Sequence, residues 1–307
     1  MELHNFEELI DLLSAQPEMP RMAVAAAEDE VVIDAALEAE NRHYATPIWI
    51  GDGVQIRKII SAKGIDSERY QIISTENARE SGIEAVRLVR EGKADFIMKG
   101  LMETREILGP VVDKQNGIGT GRVMSHVALT QLPNYHKLLL NTDGGMNIEP
   151  NLEQKASILH NAVDALHAIG YDCPKIAVLA AVETVNPKMK ETVEATALKE
   201  MAANGDFGKC VVEGPISYDL TMSADIAKHK RFSCDYCGNF DGVLVPNIVC
   251  GNILGKSWII TGGGKMAGIV VGAKVPIVLT SRGSSMEEKT NSIAFAALMM
   301  CSKSDKN

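Results

Sequence analysis

Short apolar runs alternate along this chain with longer segments of helical periodicity, and this alternation restricts the fold more than any other feature. Strands separated by roughly 10–15 helical residues form βαβ units, whose strands pair in parallel. Several runs are uniformly apolar rather than alternating, which is typical of strands covered by helices on both faces. The sequence therefore predicts an α/β fold with mostly parallel sheets.

The length of 307 residues favours two α/β lobes with a cleft between them, since single hydrophobic cores stop growing near this size. An amphipathic helix is expected at the start of the chain, with further helices over residues 28–42 and 78–91. Strands are expected over residues 21–28, 47–54 and 94–100, and in the runs that begin at Lys137, Lys175, Gly242, Trp258, Ala267 and Pro276.

The charge balance restricts the partners. The chain has 31 basic and 40 acidic residues, a net charge of −9 and a pI near 5.4. Such a chain is not expected to bind nucleic acid or an anionic membrane, although a local basic cleft is compatible with it. No stretch approaches the roughly 18 consecutive apolar residues of a membrane span, and the first residues are acidic where a secretory signal is basic. We therefore expect a cytoplasmic protein.

The cysteines and histidines do not predict a metal site. Cys234 and Cys237 form the only CxxC, and no second CxxC or CxxH completes four zinc ligands. The seven histidines contain no HxxxH pair. His126 follows a glycine-rich stretch and is a candidate site residue, although an ordinary hydrogen-bonded histidine explains it as well.

Polar residues follow five of the apolar runs, at the strand ends where open α/β sheets bind ligands. Glycines there let backbone N–H groups approach a ligand closely, and lysine or arginine can neutralise phosphate. Each end alone is compatible with an ordinary turn, but together they predict an anion site, and the anion expected there is phosphate. The five ends are Lys99-Gly100, Thr142 to Gly145, Asn247 with Gly251 and Asn252, Gly262 to Lys265, and Thr280 to Gly283.

Two glycine-rich segments resemble nucleotide motifs without matching them. Residues 251–257 read GxxxGKS, one residue short of the P-loop spacing that forms a phosphate cradle. The glycines at 262–264 and Gly268 do not fit the dinucleotide-binding turn, because Gly268 lies in another apolar run. Neither a P-loop nor a nicotinamide site is predicted.

Ser281 and Arg282 are the sharpest feature of the sequence. A serine hydroxyl can donate to a developing oxyanion, and the adjacent guanidinium can hold phosphate through two hydrogen bonds. Glu288, seven residues after the serine, could act as a general base. The same segment also predicts a helix start, with Ser284 or Ser285 as the cap. The two interpretations are compatible.

Over nearly its whole length the sequence resembles the phosphate acetyl/butyryltransferase family, and its butyryl-type members most closely. The most specific segments are residues 91–104, 120–128, 142–163, 175–189, 212–219, 245–256 and 272–285. The resemblance implies reversible acyl transfer, in which acyl-CoA and orthophosphate give acyl phosphate and CoA through a ternary complex. It implies CoA as a co-substrate and no tightly bound cofactor or metal.

The resemblance also implies an architecture. Family members have two α/β/α lobes like those of isocitrate and isopropylmalate dehydrogenases, and dimers are usual. Carried over, the first lobe comprises residues 1–127 with 279–307, and the second comprises residues 128–278, with the active-site cleft between them. We therefore expect a homodimer or a higher homo-oligomer.

The family's roles map onto individual residues. Ser281 corresponds to the serine that stabilises the transition state, Arg282 to the arginine that binds phosphate, and Glu288 to the position of a proposed base. Residues predicted to contact phosphate or acyl phosphate are Lys99, Thr104, Arg105, Arg122, Ser125 and His126. Residues predicted to contact CoA are Asn247, Gly251, Asn252, Gly263 and Lys265.

One position departs from the family. Members commonly carry a phosphate-binding arginine in the segment that corresponds to residues 107–113, where this chain has Gly109. Arg105 lies four residues earlier, on the same face of a helix, and we hypothesise that it replaces the missing arginine. Two alternatives stay open, an acyl-carrier-protein:phosphate acyltransferase and a catalytically weak binder of acyl-CoA or acyl phosphate. Gly109 favours only the second of these.

Overall fold

The structure is a computed structural model that describes residues 2–281 and 283–304. The strands are β1 (Arg21–Ala25), β2 (Thr46–Gly51), β3 (Ile72–Ser74), β4 (Phe96–Lys99), β5 (Ser125–Gln131), β6 (Leu139–Thr142), β7 (Lys175–Leu179), β8 (Val211–Ile216), β9 (Gly242–Leu244), β10 (Lys265–Val271) and β11 (Ile277–Val278). The helices are α1 (Phe6–Ser14), α2 (Glu30–Asn41), α3 (Gly53–Ala62), α4 (Ala78–Arg90), α5 (Thr104–Val112), α6 (Leu152–Ala168), α7 (Lys190–Ala203), α8 (Tyr218–Met222), α9 (Ala224–Lys230), α10 (Ile248–Ile260) and α11 (Met286–Ser304), with a short 3₁₀ helix at Ser67–Arg69.

The chain divides into two compact units. We call Glu7–Arg122 with Ala267–Asn307 the terminal unit, because it takes in most of both ends of the chain. We call Met1–Phe6 with Val123–Met266 the central unit.

The terminal unit contains a sheet whose strands run in the order β3-β2-β1-β4-β11-β10. The first five strands are parallel, and β10 is antiparallel to β11. The strands β1 and β4 are almost entirely buried, as expected for strands between two layers of helices. Because these strands are parallel, the turns after β1, β2, β4 and β11 meet at one edge of the sheet.

The central unit contains strands in the order β5-β6-β9-β7-β8. All pairs are parallel except β5 with β6. At the amino ends of β6 and β9, the fully buried Lys137 ammonium donates to Asp241 at 2.6 Å and to the Asn239 carbonyl at 2.9 Å. Buried charges are tolerated when they are paired and hydrogen-bonded in this way. Glu2 joins the same group, at 3.2 Å from Lys137 and 2.8 Å from Lys175.

Asparagine and aspartate caps start several helices directly after strands. Asp52, the residue directly after β2, accepts hydrogen bonds from the backbone N–H groups of Val54 and Gln55 at the start of α3. Asn247 Oδ1 accepts a hydrogen bond from Cys250 N–H at the start of α10, which follows β9. These side chains satisfy the free N–H groups of the first helical turn, so they fix where each helix begins.

The predicted α/β class with mostly parallel strands is confirmed. The strand expected at Trp258 is wrong, because Trp258 lies in α10, which continues to Ile260. This helix has apolar residues on more than one face, and a short uniformly apolar run cannot be assigned to strand or helix from periodicity alone. The same helix contains residues 251–257, so the segment that resembles a P-loop is not a loop. Among the residues that the structure describes, no helix is both long and apolar enough to cross a membrane.

Candidate active site

Ser281 and Lys99 follow neighbouring strands of the terminal unit. Lys99 is the last residue of β4, and Ser281 comes three residues after the end of β11, which pairs in parallel with β4. The carboxyl ends of parallel strands are where open α/β sheets bind ligands. The structure therefore places a hydroxyl and an ammonium group at the same edge of this sheet.

Ser281 lies in a tight turn and is exposed. Its carbonyl accepts a hydrogen bond from Ser284 N–H at 3.1 Å, and its Oγ accepts one from Gly283 N–H at 3.3 Å. The hydroxyl hydrogen of Ser281 can thus be donated to a ligand. Arg282, the residue predicted to hold phosphate, lies outside the described residues.

Glu288 lies near the start of α11. Its backbone N–H donates to Ser285 Oγ at 3.1 Å, so the predicted serine cap is confirmed and is Ser285. Its carboxylate Oε1 accepts a hydrogen bond from Ser284 Oγ at 2.5 Å. This contact orients the carboxylate toward the turn that carries Ser281.

The turn after β4 is built by Lys99 and Gly100. Lys99 Nζ donates to the Met102 carbonyl at 2.9 Å and to the Gly100 carbonyl at 3.3 Å. A Cβ on Gly100 would lie 2.1 Å from the Ala26 carbonyl oxygen, so only glycine fits where this turn meets the end of β1. The ammonium group is therefore held over the turn by backbone carbonyls.

Thr104 and Arg105 begin α5, which starts with a reciprocal cap between Glu103 and Glu106. Arg105 is 83% exposed, and its Nε lies 2.7 Å from a Glu103 carboxylate oxygen. An ion pair this exposed is weak and exchanges readily with solvent or another anion. Space is open around Gly109 on the same helix, where a Cβ would meet no atom within 4 Å.

Arg122 is the last residue of the first segment of the terminal unit and is exposed. Its backbone N–H donates to Thr120 Oγ1 at 3.4 Å, and that hydroxyl in turn donates to the Gly272 carbonyl at 2.6 Å. Thr120 thereby fixes the backbone that leads to Arg122.

In the central unit, Asp143 organises the glycine-rich turn after β6. Oδ1 accepts from the backbone N–H groups of Gly145 and Met146 at 2.8 and 3.0 Å. Oδ2 accepts from Asn147 through its backbone N–H at 3.1 Å and its Nδ2 at 2.6 Å. Four hydrogen bonds to one buried carboxylate hold this turn in a single arrangement.

His126 packs against that turn. A Cβ on Gly145 would lie 3.1 Å from the His126 side chain, and the His126 carbonyl accepts from Thr142 Oγ1 at 2.9 Å. Burial lowers the pKa of the imidazole, and the nearby Asp143 carboxylate acts in the opposite direction. Burial has the larger effect and favours the neutral imidazole.

Ser125, the first residue of β5, is fully buried. Its Oγ accepts from Asn161 Nδ2 at 3.0 Å, which ties β5 to α6. The assignment of this hydroxyl to phosphate stays a prediction, and the structure gives it a packing role.

The start of α10 brings three of the residues predicted to contact CoA together. Asn247 caps the helix, Gly251 lies in its first turns, and Asn252 Nδ2 donates to the Gly144 carbonyl at 3.2 Å. Gly263 and Lys265 follow the other end of α10, whose 13 residues span about 20 Å at 1.5 Å per residue. The structure therefore separates these two residues from the other three.

Comparisons with known proteins decide the family. The sequence model of the family described as "Phosphate acetyl/butaryl transferase" matches residues 75–297. The phosphate butyryltransferase of Clostridium acetobutylicum is 40% identical over 301 residues, which are 98% of this chain and 100% of that protein. The chain belongs to this family. The predicted family and the predicted enzyme class, a phosphate acyltransferase, are confirmed.

Two further members of the phosphate acyltransferase family extend the comparison. The phosphate acetyltransferase of Thermotoga maritima is 36% identical over 292 residues, which are 95% of this chain and 98% of that protein. The crystal structure of a branched-chain phosphotransacylase from Enterococcus faecalis V583 superposes with a TM-score of 0.80 at 32% identity, covering 92% of this chain and 99% of the other. The whole chain, rather than one motif, thus carries the likeness.

A polar group that was not predicted from the sequence follows β7 and β8 of this family member. Ser217 Oγ lies within hydrogen-bonding distance of carboxylate oxygens of both Glu183 and Asp219, the latter at 2.6 Å, and Lys230 Nζ lies 2.8 Å from Asp219. The hydrogen bond from Lys230, more than that from Ser217, lowers the pKa of Asp219 to about 2. Glu183 and Asp219 fall in two of the segments that resemble the family, which is the signal that could have found them.

No group of three or more histidine, cysteine, aspartate or glutamate side chains within residues 2–281 and 283–304 is arranged to hold a metal ion. Cys234 and Cys237 are free thiols, and burial raises the pKa of Cys237 to about 12. The thiol form of Cys237 therefore predominates at neutral pH.

Proposed function

We propose that this protein transfers a short acyl group reversibly between CoA and orthophosphate. In the direction of acyl phosphate synthesis, a phosphate oxygen attacks the thioester carbonyl carbon. The new C–O bond forms, the C–S bond breaks, and its electron pair leaves with sulfur. The proton of hydrogen phosphate ends on the CoA thiol, so the reaction balances without a further reactant.

The observation that carries this proposal is the Ser281 turn. An exposed hydroxyl free to donate lies in a tight turn beside the strand that ends in Lys99, in a chain that matches phosphate acyltransferases from end to end. The carbonyl oxygen of a thioester becomes negative when phosphate adds to it. A donor fixed where that charge develops stabilises the transition state more than the ground state. This is the role that we assign to Ser281.

Phosphate requires cationic partners. We assign this role to Arg282, to the Lys99 ammonium held by the Met102 and Gly100 carbonyls, and to Arg105 and Arg122. An ammonium or guanidinium group beside the phosphate dianion compensates its negative charge. It thereby lowers the electrostatic repulsion that phosphate would otherwise meet in an acidic protein. Thr104, Ser125 and His126 complete the predicted phosphate set.

CoA must be oriented and its thiol must lose a proton in the reverse direction. We assign orientation to Asn247, Gly251 and Asn252, with Gly263 and Lys265 as further contacts about 20 Å along α10. A free thiol has a pKa of about 8.5 and is mostly protonated at neutral pH, so a carboxylate nearby assists. Glu288 is the candidate, and its contact with Ser284 keeps it facing the Ser281 turn.

The test is release of free thiol from acetyl-, butyryl-, isobutyryl- and isovaleryl-CoA with phosphate present. We expect phosphate-dependent release with at least one of the four. Replacing Ser281 by alanine should lower kcat by roughly 100-fold, the usual cost of one oxyanion donor. Ser61→Ala is the matched control, because Ser61 is an exposed serine near the far end of α3 in the same unit. Folded wild-type protein that releases no thiol from any of the four would contradict the proposal.

The homodimer and the cytoplasmic location stay predictions. Light scattering coupled to size-exclusion chromatography measures the oligomeric state directly. A mass of one chain, 33.1 kDa, at micromolar concentration would count against a dimer.

A further inference from the structure

Lys289 is buried beside the Ser281 turn and belongs to none of the residue sets assigned to phosphate, to CoA or to the base. It is the fourth residue of α11 and only 4% exposed, although lysine is among the residues least often buried. Its Nζ donates to the Ser284 carbonyl at 2.5 Å. An ammonium group taken out of water costs free energy, so its position requires a compensating contact.

Lys289 and Glu288 both form hydrogen bonds with Ser284. Lys289 contacts the Ser284 carbonyl, while the Glu288 carboxylate accepts from the Ser284 hydroxyl, also at 2.5 Å. Ser284 in turn donates its backbone N–H to the Ser281 carbonyl at 3.1 Å. A continuous set of hydrogen bonds therefore runs from the first turn of α11 to the backbone of Ser281.

The charges around Lys289 come from two helices. Glu288 lies on α11 itself, and Asp29 caps the start of α2, which packs against α11. Burial lowers the pKa of Lys289 below its ordinary value of 10.5, and the two carboxylates act in the opposite direction. Burial has the largest effect, so this ammonium loses its proton at a lower pH than an exposed lysine.

We propose that Lys289 is a positioning residue for Ser281, fixing the turn through Ser284 so that the hydroxyl meets the developing oxyanion. This inference rests on the proposed role of Ser281. A serine hydroxyl in a turn can move by an ångström when one anchor is lost, and displacements of that size cost up to about 100-fold in rate. The protonated lysine donates to the carbonyl strongly, whereas the neutral amine is a weaker donor.

The test compares Lys289→Met, which keeps the length without the charge, with Lys289→Arg, which keeps the charge. We expect Lys289→Met to lower kcat by roughly 10- to 100-fold with little change in the KM for CoA esters. Lys289→Arg should restore most of the rate. Lys175→Met is the matched control, because Lys175 donates to Glu2 at 2.8 Å at the amino end of β7; it should leave kcat unchanged.

Two readouts separate positioning from mere stability. Combining Lys289→Met with Ser281→Ala should lower kcat by less than about threefold beyond Ser281→Ala alone, because residues that act as one unit are not additive. The wild-type kcat should also fall on the alkaline side, below the ordinary lysine pKa, and Lys289→Arg should remove that fall because arginine stays protonated. The second readout needs no Lys289→Met protein and stands even if that variant does not fold.

The outcomes are distinguishable. If wild type is active and Ser281→Ala is not, the proposed function holds, and an unaltered kcat in Lys289→Met would overturn this inference alone. Fully multiplicative losses in the double variant, or identical alkaline profiles for wild type and Lys289→Arg, would also overturn it. An inactive wild-type protein overturns the proposed function and this inference together.

Discussion

Gly144 and Gly251 touch backbone to backbone in the central unit. A Cβ on Gly251 would lie 2.7 Å from Gly144 Cα, and a Cβ on Gly144 would lie 2.7 Å from the Gly251 carbonyl carbon. Separations below about 3 Å are not reached by real Cβ atoms, so neither position accepts a side chain without a backbone shift. The backbones of the turn after β6 and of the start of α10 are thus in direct contact, with no room for a side chain between them.

Gly251→Ala should therefore destabilise the protein by roughly 1–3 kcal/mol, the usual cost of overpacking, and raise the KM for the CoA ester. The KM effect follows because α10 must move away from Gly144, and Asn252, which donates to the Gly144 carbonyl, moves with it. Gly109→Ala is the control, since it makes the same change in helix α5 where a Cβ meets open space. It should stabilise by about 1 kcal/mol through helix propensity. Equal effects at the two sites, in thermal melts and initial rates, would contradict the packing argument.

Many of the strands and the turns that follow them could be predicted from the sequence, because local residue patterns determine them. The apolar runs at β1, β2, β4, β7 and β10 are predicted correctly as strands. The segments that contain Gly144 and Gly251 are both predicted to follow strands and to contribute to an anion site, and that binding role stays a prediction. The contact between the two glycines was not predictable, because it joins residues about a hundred positions apart. The strand predicted at Trp258 failed for a related reason, since only tertiary packing decides whether a short apolar run is a strand or part of a helix.

Arg105 provides a test of phosphate binding in the terminal unit. Because its side chain is exposed and its pairing with Glu103 is weak, Arg105→Ala should change thermal stability by less than about 1 kcal/mol. If Arg105 contacts phosphate, as we hypothesise, the KM for phosphate should rise roughly tenfold. Adding Gly109→Arg should reverse part of that rise, because the space beside α5 at Gly109 is open.

The matched control for Arg105 is Arg42→Ala. Arg42 is also an exposed arginine, paired with Glu38 at 2.6 Å on another helix of the same unit. Arg42→Ala should leave the KM for phosphate unchanged. If Arg105→Ala and Arg42→Ala give the same phosphate KM as wild type, Arg105 does not replace the family's arginine.

Only part of the candidate site was predictable from the sequence. The serine cap and the position of Ser281 after a strand end follow from residue types and spacing. The burial of Ser125 against Asn161 does not, since a serine at the start of a strand can face either side. Nor does the anchoring of Ser284 by Glu288 and Lys289, which depends on how α11 packs.

Glu2 gives the central unit an acid-sensitive contact. The hydrogen bond from Lys175, with further help from Lys137, lowers the pKa of Glu2 from 4.5 to about 2. A carboxylate with a lowered pKa in the folded state stabilises above its unfolded pKa, and that contribution is lost as pH falls from about 4.5 toward 2. Glu2→Gln should therefore cost stability at pH 7 and much less near pH 2, where the Glu2 carboxylate is partly protonated in the folded state as well. Because the side chain is 38% exposed, we expect a difference of less than about 1 kcal/mol at pH 7.

Urea unfolding at pH 7, 4 and 2.5 measures this difference. Glu7→Gln is the control, because Glu7 is an exposed carboxylate on α1 close by in the chain. The change in unfolding free energy caused by Glu7→Gln should not shrink as the pH falls, unlike that caused by Glu2→Gln. A Glu2→Gln deficit that persists undiminished at the lowest pH would show that the ion pair is not its cause.

Asp143 tests whether the turn after β6 must be held by a carboxylate. All four of its hydrogen bonds come from N–H donors on Gly145, Met146 and Asn147. In Asp143→Asn one oxygen becomes an NH₂ group that faces donors, so at least two of the four bonds are lost and the turn loosens. Hydrogen bonds to a charged acceptor contribute about 1.5–3 kcal/mol each, and an unmade buried donor adds its own cost. We therefore expect a drop in unfolding free energy of roughly 3 kcal/mol, together with a raised KM for the CoA ester because the turn contacts Asn252.

The matched control for Asp143 is Asp241→Asn, which also neutralises a buried carboxylate of the central unit. Asp241 accepts from Lys137 and from Lys175 N–H at the amino ends of the strands, away from the turn after β6. It should destabilise at least as much while leaving the KM for the CoA ester of the remaining folded enzyme unchanged. A raised KM in both variants would mean that lost stability, rather than the turn held by Asp143, explains the change. A raised KM in Asp143→Asn alone would show that this carboxylate sets the geometry for CoA through the backbone it holds.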